Sequence, residues 1–285
     1  GQTIAQFYAE NRIVVPLAKI SKNARNAIVA VEDKRFYKHK GVDLSGMLRA
    51  VVTNAAGGST QGASTLTQQY VKNVLIEAGL QASDPEAVEA ARAATPARKL
   101  REAKYALTLE KRYTKAQILE GYLNIAAFGP STYGIEAASR HYFSHSADSL
   151  TIGESALLAG MTNWPTRYDP ITNPEAAKTR RDWVLQKMLG EQFITQQQYK
   201  EATNQSIDSM LKVTNAVGGC GSGSDGVTKS AAYFCEYVVR EILTNDAYGK
   251  DEATRRQLLL RGGLQITTTM DMAKQQAAYD TMANW

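Results

Sequence analysis

The stretch AIVAVEDKRFYKHKGVD, residues 27–43, joins an apolar run to a dense group of charges. Residues 27–31 are all apolar, and the carboxyl groups of Glu32 and Asp33 follow directly. The basic residues of the stretch come next: Lys34, Arg35, Lys38, His39 and Lys40. Burial raises the pKa of a carboxyl and makes it a better base, while nearby cations keep it ionised. The pattern fits a general base beside an anionic substrate, and it also fits two carboxylates that end a helix on a solvated face.

A second stretch, GGSTQGASTLTQQYVKN at residues 57–73, combines small residues with hydroxyl and amide side chains. Small residues let a ligand approach the backbone closely, and hydroxyls can bond phosphate or sugar oxygens. The polar residues of its second half fall at helical spacing: Gln68, Gln69, Lys72 and Asn73. The Gly-Lys-Ser/Thr of a nucleotide-binding P-loop is absent from the sequence here. A phosphate- and sugar-binding loop and a plain flexible loop therefore both stay open.

A third stretch, TPARKLREAKYALTLEKRY at residues 95–113, begins with Thr-Pro, a helix cap followed by proline at the first helical position. Arg98 and Lys99 fall in the first turn, where cations oppose the helix dipole. An anion bound at this end would turn that cost into an advantage. Glu102 lies one turn beyond Arg98, which can hold the carboxylate ionised. An anion site and an ordinary charged surface helix are both compatible with the pattern.

Composition sets broad limits. The chain has 285 residues, 44% of them hydrophobic and 21% charged, which allows one large or two modest globular domains. Its net charge of +5 favours anionic partners. We see no apolar run of about 18 residues and no signal peptide, so we expect a soluble protein or a chain that begins after a membrane anchor. Cys220 and Cys235 flank a Gly/Ser-rich segment, which favours a disulfide formed in an oxidising compartment over two unrelated buried thiols.

Helical signals dominate up to about residue 205. Helix starts are predicted after five capping residues: Thr95, Thr114, Thr151, Asn173 and Thr195. Leu100, Ala103 and Leu107 form an apolar stripe on the helix that begins at Pro96. Residues 214–230 are rich in Gly, Ser, Asn and Asp and are predicted to form a loop. A helix over 231–243, a strand over 264–269 and a helix over 272–284 complete the prediction.

In combination, these stretches resemble the glycosyltransferase domain of class A, bifunctional penicillin-binding proteins, known as glycosyltransferase family 51. Its motif Glu-Asp-x-x-Phe-x-x-His-x-Gly is matched by Glu32, Asp33, Phe36, His39 and Gly41. Its second motif is matched by Gly62, Ser64, Thr65, Thr67, Gln68, Gln69, Lys72 and Asn73. The Arg-Lys-x-x-Glu and Ile-Leu-Glu-x-Tyr-Leu-Asn motifs are matched by Arg98, Lys99 and Glu102 and by Ile118, Leu119, Glu120, Tyr122, Leu123 and Asn124.

The resemblance covers nearly all of residues 1–205, so we expect a glycosyltransferase domain there, a linker region at 206–262 and the start of a transpeptidase domain at 263–285. The insert at residues 77–94 and the late cysteine pair resemble actinobacterial members. Ala63 replaces a glycine that many relatives have. A phosphate-binding arginine of many relatives has only a weak counterpart, Arg92, because the insert disturbs the alignment.

The resemblance implies a mainly α, lysozyme-like, two-lobed fold that polymerises lipid II, with inversion and release of undecaprenyl pyrophosphate. Glu32 is then the base that deprotonates the acceptor 4-hydroxyl. Lys72, Arg98 and Lys99 neutralise pyrophosphate, and Glu102 orients substrate or helps to hold a divalent cation, Mg²⁺ or Mn²⁺. The other substrate-binding or site-shaping residues implied are Asp33, Phe36, His39, Ser64, Thr65, Gln69, Asn73 and Glu120.

The same resemblance implies an extracytoplasmic place at the cell membrane, with a single N-terminal anchor outside this sequence, and moenomycin as an inhibitor. Residues 43–63 and 77–94 are expected to border a mobile lobe that contacts lipid, and no nucleic acid is expected as a partner. Two alternatives stay open. A lysozyme or lytic transglycosylase also uses a glutamate but needs no cations for pyrophosphate, and a basic lipid- or nucleic-acid-binding module would not need Glu32.

Overall fold

The computed structural model describes residues 4–5, 7, 10–43, 45–46, 64–214, 218–220 and 230–283. The chain divides into two compact units, Arg12–Thr214, and Gly1–Asn11 together with Asn215–Trp285. The regular elements of the described residues are almost all helices. The predicted mainly α fold is therefore confirmed.

The larger unit contains ten α-helices within its described residues: α1 Lys22–Glu32, α2 Leu66–Gln81, α3 Pro85–Arg92, α4 Pro96–Leu109, α5 Lys115–Ile125, α6 Ile135–Phe143, α7 Ile152–Met161, α8 Pro174–Gly190, α9 Gln196–Asn204 and α10 Ile207–Met210. Short 3-10 helices cover Leu17–Lys19, Phe36–Lys38 and Ala147–Ser149. A small sheet has the order β1-β3-β2, with β1 at Asn11–Arg12, β2 at Ala127–Gly129 and β3 at Thr132–Tyr133. Strands β2 and β3 are antiparallel, with Ala127 opposite Tyr133.

The five predicted helix starts are confirmed. Hydrogen bonds between residues close in the sequence define most of them. Thr114, Thr151 and Thr195 each form a complete capping box. Thr95 accepts a hydrogen bond from the amide of Arg98, with Pro96 in the first turn. Helix α8 begins at Pro174 as predicted, although the side chain of Asn173 makes no capping hydrogen bond.

The core of the larger unit is built where α1, α7 and α8 pack together. The second half of helix α1 is buried along Ala27, Ile28 and Val29, so this part of the helix enters the core as an apolar segment. Each large apolar side chain buried in this way contributes roughly 1.5–3 kcal/mol. Glu32 is the last residue of α1, so the packing of the apolar run fixes the position of its carboxylate.

The buried side of helix α4 is not the side that carries its predicted apolar stripe. The buried residues are Arg98, Glu102 and Ala106, whereas Leu100 and Leu107 of the predicted apolar stripe are 74% and 46% exposed. The insert at residues 77–94 forms the end of α2 and the whole of α3, and both α3 and α4 pack on α2.

The described part of the smaller unit contains α11 Ala232–Thr244, α12 Glu252–Arg261 and α13 Met272–Ala283. The predicted disulfide between Cys220 and Cys235 is confirmed. The predicted strand at Leu264–Thr269 is wrong, because this segment joins α12 to α13 without regular structure and pairs with no strand in the described residues. The predicted helices on either side are confirmed. Among the described residues, every helix is too short or too polar to cross a membrane.

Candidate active site

The carboxylate of Glu32 is partly buried and accepts hydrogen bonds at both oxygens. Gln69 of α2 donates from Nε2 to Oε2 over 2.8 Å. Thr162, which follows α7, donates from Oγ1 to Oε1 over 2.9 Å. Each carboxylate oxygen has a second acceptor position, so a ligand hydroxyl can still bind. The group is held in one orientation by neutral donors and stays able to accept a proton.

Two further polar side chains interact with this carboxylate. Burial, and next the negative charge of Glu32, raise the pKa of Tyr122 well above its usual value. Its hydroxyl donates to the Gln69 side-chain oxygen at 3.4 Å. Because its pKa is raised, Tyr122 remains a neutral hydrogen-bond donor beside the acid. Burial lowers the pKa of Arg180, and the charges of Tyr168 and Glu32 act in the opposite direction.

The guanidinium of Arg180 is held mainly by aromatic rings. It lies 4.1 Å from the ring centre of Trp183 and 5.4 Å from that of Tyr168. Its Nε donates to the carbonyl of Gly160 over 3.3 Å. Cation–π contacts of this kind keep a guanidinium charged and in place without neutralising it. Arg180 is therefore a fixed positive charge within electrostatic range of Glu32.

Asp33 and His39 form a buried pair behind the site. His39 Nε2 and Asp33 Oδ2 are 2.8 Å apart, and the same oxygen accepts a hydrogen bond from the amide of Leu66 over 3.0 Å. Both residues are only 8% exposed. Their partners lie inside the protein, and the contact of these two residues with substrate stays a prediction. Asp33 joins the end of α1 to the first residue of α2, three residues before Gln69.

Phe36 and Thr65 are also internal, and their contact with substrate stays a prediction. Phe36 is completely buried, with the Lys115 ammonium 4.4 Å from its ring centre. Thr65 is 2% exposed, caps α2 and donates from Oγ1 to the Gly41 carbonyl over 2.6 Å. Gly41 has a φ of +87°, and a Cβ there would lie 2.7 Å from the carbonyl oxygen of Ala106 on α4. These contacts join the turn after Glu32 to α2 and α4.

Positive charges gather where α2 meets the start of α4. Burial, and next the charge of Arg98, lower the pKa of Lys72, with smaller contributions from Lys99 and Arg92. We call these four residues, Lys72, Arg92, Arg98 and Lys99, the cation cluster. The opposing effect of Glu102 raises the Lys72 pKa but does not cancel the shift. The cluster thus has an excess of positive charge, which an anion can compensate.

Glu102 lies beneath this cluster and is almost completely buried, at 1% exposure. Its Oε1 accepts a hydrogen bond from Arg98 Nη1, and its Oε2 lies 3.1 Å from Lys99 Nζ. Lys99 also donates to Ser64 Oγ over 2.8 Å. Glu102 therefore orients two cations and, through Lys99, the residue just before the cap of α2.

Helix α2 connects the Glu32 carboxylate with the cation cluster. Gln69, which bonds Glu32, and Lys72, which belongs to the cluster, are three residues apart and so lie on the same face of the helix. Asn73 follows Lys72 and is partly exposed. One face of α2 therefore contacts the Glu32 carboxylate through Gln69 and carries Lys72 one turn further along, a separation on the order of 5 Å between the side-chain origins of these two residues.

Two other motif residues lie away from this group or outside the described residues. Glu120 accepts a hydrogen bond from the amide of Leu17 over 2.6 Å, so it holds the segment before α1, and its contact with substrate stays a prediction. Gly62, from the second motif, lies outside the described residues.

A divalent cation at Glu102 stays a prediction, and the residues around it do not fit one. Both carboxylate oxygens are already bonded to cations. Within the described residues, no group of three or more His, Cys, Asp or Glu side chains could hold a metal ion. Divalent Mg²⁺ and Mn²⁺ prefer several oxygen ligands. No chemical step is therefore assigned to a metal here.

Sequence reasoning missed roles for Tyr122, Thr162 and Arg180. Tyr122 stood within a recognised motif but without a function. Thr162 lies 130 residues from Glu32, and no local pattern marks it. Only the packing of α1 against α7 and α8 brings Thr162 and Arg180 to the carboxylate.

The chain is similar to a known protein family and to several known proteins. The profile of the transglycosylase family matches residues 1–189. The chain is 34% identical to penicillin-binding protein 1F of Bacillus subtilis over 99% of its own length and 35% of that protein. It is also 34% identical to penicillin-binding protein 1A of Neisseria gonorrhoeae, over 99% of this chain and 31% of that one. The chain thus spans about a third of the length of these relatives.

A crystal structure of penicillin-binding protein 1A from Haemophilus influenzae aligns with a TM-score of 0.44 and 20% identity. The alignment covers 84% of this chain and 23% of that protein. The profile match over two thirds of the chain is the stronger result, since it includes Glu32, the cation cluster and Glu102. The chain belongs to the transglycosylase family found in penicillin-binding proteins 1A and 1F.

Proposed function

We propose that the protein is a peptidoglycan glycosyltransferase that polymerises lipid II into glycan strands. The observation that carries the proposal is the shared face of α2. Gln69 bonds the Glu32 carboxylate there, and Lys72 of the cation cluster lies one turn further along. A reaction that needs both a base and a pyrophosphate leaving group needs these two features side by side.

Glu32 acts as the general base. It removes the proton from the 4-hydroxyl of the acceptor lipid II, and that oxygen attacks the anomeric carbon of the growing chain. The bond between this carbon and the pyrophosphate oxygen breaks, so the configuration inverts and lipid pyrophosphate leaves with the electron pair. Gln69 and Thr162 keep the carboxylate aimed, and general-base catalysis of this kind typically contributes about 10²–10⁴-fold.

The cation cluster binds the pyrophosphate and stabilises the negative charge that develops as it leaves. Arg98 and Lys99 lie in the first turn of α4, so the dipole of the helix start acts together with their side chains. Positive charges fixed before the reaction are effective because they need no rearrangement in the transition state. Glu102 holds these two cations in place and leaves Lys72 to approach the phosphate.

Arg180 is a further positive charge within electrostatic range of Glu32, and it is held by two aromatic rings and one carbonyl. We assign it a role in attracting the second anionic lipid substrate. Two pyrophosphate lipids meet in each cycle, and Arg180 adds to the positive charge that the cation cluster provides. The partners proposed are lipid II, the growing glycan chain, a membrane surface and, as inhibitor, moenomycin.

We further propose that the protein acts at the extracytoplasmic face of the cell membrane. The disulfide between Cys220 and Cys235 supports an oxidising compartment. The lipid-linked substrate requires a bilayer close to the cation cluster.

The test is glycan polymerisation from labelled lipid II by the Glu32→Gln variant, followed on gels. Glutamine keeps the shape of the side chain but cannot act as the base. We expect polymer formation to fall on the order of 10³-fold while circular dichroism stays unchanged. Glu201→Gln, at an exposed position of α9, is the matched control and should retain full activity.

Near-normal polymer from Glu32→Gln would refute the assignment of the base. Release of short glycans from mature cell wall, without release of undecaprenyl pyrophosphate from lipid II, would instead identify a glycan-cleaving enzyme. The two products are separated by chromatography of the lipid phase.

A further inference from the structure

We propose that a row of alternating aromatic rings and cations beside Glu32 binds the glycan strand, through its sugar rings and the acidic peptides that it carries. We call this row the aromatic ladder. Its six residues belong to α8 and to the segment between α7 and α8, and none lies in the four sequence motifs: Trp164, Arg167, Tyr168, Arg180, Trp183 and Lys187. The inference rests on the proposed function and names the residues that hold the polymer.

The first half of the aromatic ladder lies in the segment between α7 and α8. The Arg167 guanidinium lies 5.2 Å from the ring centre of Trp164 and 5.7 Å from that of Tyr168. Trp164 is 53% exposed although it has this cation beside its ring. An exposed tryptophan ring offers a large, flat apolar surface, on which the apolar face of a sugar can pack. Trp164 is therefore the stacking position of the ladder.

The second half lies on one face of α8. Arg180, Trp183 and Lys187 are three and four residues apart, the spacing of neighbours on a helix surface. The Arg180 guanidinium joins the two halves, because it contacts the ring of Tyr168 as well as that of Trp183. The Lys187 ammonium lies 5.2 Å from the ring centre of Trp183. Rings and cations thus follow one another over a surface longer than a single sugar, which favours a polymer as the occupant.

The cations of the aromatic ladder form no ion pair with a carboxylate of the described residues. The acids nearby in the sequence are paired elsewhere. Glu191, four residues after Lys187, forms its ion pair with Lys34. Asp182 is paired with Arg181. An aromatic ring holds a cation without neutralising it, so the ladder has an excess of positive charge that complements carboxylates carried by a ligand.

The aromatic ladder begins beside the reaction centre. Thr162, which bonds Glu32, lies two residues before Trp164, and the charge of Glu32 acts on the pKa of Arg180. The base must meet a sugar hydroxyl, and the polymer must continue from this point along the protein surface. Thr162 and Gln69 bond different oxygens of the carboxylate. The ladder and the cation cluster therefore approach the base through different atoms, one suited to the strand and the other to pyrophosphate.

Titration calorimetry with soluble glycan strands tests the proposal. The acidic probe is a tetrasaccharide of alternating N-acetylglucosamine and N-acetylmuramic acid that carries its peptides but neither lipid nor pyrophosphate. The neutral probe is the same molecule with its peptide carboxylates amidated. We expect the unaltered protein to bind the acidic probe about tenfold more tightly than the neutral probe, since a few exposed charge pairs contribute this much together.

Two variants separate the charges from the stacking ring. Arg167→Gln combined with Lys187→Gln should weaken binding of the acidic probe by about fivefold to tenfold and leave binding of the neutral probe unchanged. Trp164→Ala should weaken binding of both probes by at least about fivefold, because stacking of a sugar on the ring does not depend on the peptide charges.

The matched controls are Arg112→Gln combined with Lys200→Gln, and Tyr113→Ala, all at exposed positions elsewhere in the larger unit. They should bind both probes as the unaltered protein does. Absence of binding, equal affinity for the two probes, or unchanged binding by the ladder variants would overturn the proposal. So would an equally large loss of affinity for inorganic pyrophosphate in the charge variant, since it would assign the ladder to phosphate.

Polymerisation of labelled lipid II by the same variants separates this inference from the proposed function. We expect the ladder variants to make shorter strands, because a strand that is held less tightly dissociates after fewer additions. Polymer of unchanged length, together with unchanged probe binding, would refute the ladder and keep the function. Probe binding that depends on the ladder, in a protein that makes no polymer from lipid II, would support the ladder and refute the function.

Discussion

Replacing Asp33 by alanine should destabilise the larger unit strongly, although Asp33 is not the base. Its Oδ2 interacts with the imidazole of His39 and with the amide of Leu66. Both partners are buried, and His39 Nδ1 already has no hydrogen-bond partner within the described structure. Without the carboxylate, the amide and the imidazole would both be left unsatisfied.

The size of the effect follows from these two groups. A buried donor left without its acceptor costs about 1–3 kcal/mol, so two such groups give about 2–6 kcal/mol, and broken buried pairs typically cost about 3–5 kcal/mol. For a unit of this size, that corresponds to a melting temperature lower by about 10 °C. Asp33→Asn can still accept both hydrogen bonds at its amide oxygen, so we expect a loss of only about 1–2 kcal/mol.

Scanning calorimetry of both variants measures the difference, with Asp208→Ala as the matched control at an exposed aspartate. Polymerisation should be measured at a temperature where all three are folded. We expect Asp33→Ala to lose activity there as well, because Leu66 starts the helix that carries Gln69. An alanine variant as stable as Asp33→Asn would refute the role given to the two hydrogen bonds.

Two other predictions concern Lys72 and the disulfide. Because the pKa of Lys72 is lowered from 10.5 in the folded protein, its charged form opposes folding, so stability should rise as pH increases from the lowered pKa towards 10.5. Over the same pH range, the affinity for inorganic pyrophosphate, measured by titration calorimetry, should fall as Lys72 loses its charge. The Lys72→Arg variant should keep its affinity to higher pH, and identical pH profiles for the two proteins would contradict this role of Lys72. Replacing Cys220 and Cys235 by serine opens a loop of 15 residues and should destabilise the smaller unit by about 3 kcal/mol without changing polymerisation, whereas free thiols found in the unreduced protein would exclude the disulfide.

Sequence alone predicted those features that depend on neighbouring residues. The caps at Thr114, Thr151 and Thr195 join atoms three residues apart, so their patterns are visible in the chain. The ion pair of Arg98 with Glu102 follows from one turn of helix in the same way. Motif spacing placed Glu32 and the cations correctly on their helices.

Features that depend on distant parts of the chain were not predictable. Thr162 and Arg180 reach Glu32 only because α7 and α8 pack on α1. The apolar stripe of α4 identified a helix, but it could not reveal which side the protein covers. A strand likewise needs a partner, and the segment 264–269 has none among the described residues despite its β-branched composition.

The close approach at Gly41 bears on how the family's chemistry survives change in sequence. Its α-carbon rests against the main chain of α4 at Ala106, so no side chain separates the turn that follows the base from the helix that carries Arg98 and Lys99. The distance between the base and the cations that bind the leaving group is consequently set by a contact between two stretches of main chain. Residues around the reaction centre can then be exchanged over evolutionary time without altering that spacing, provided that position 41 remains free of a β-carbon.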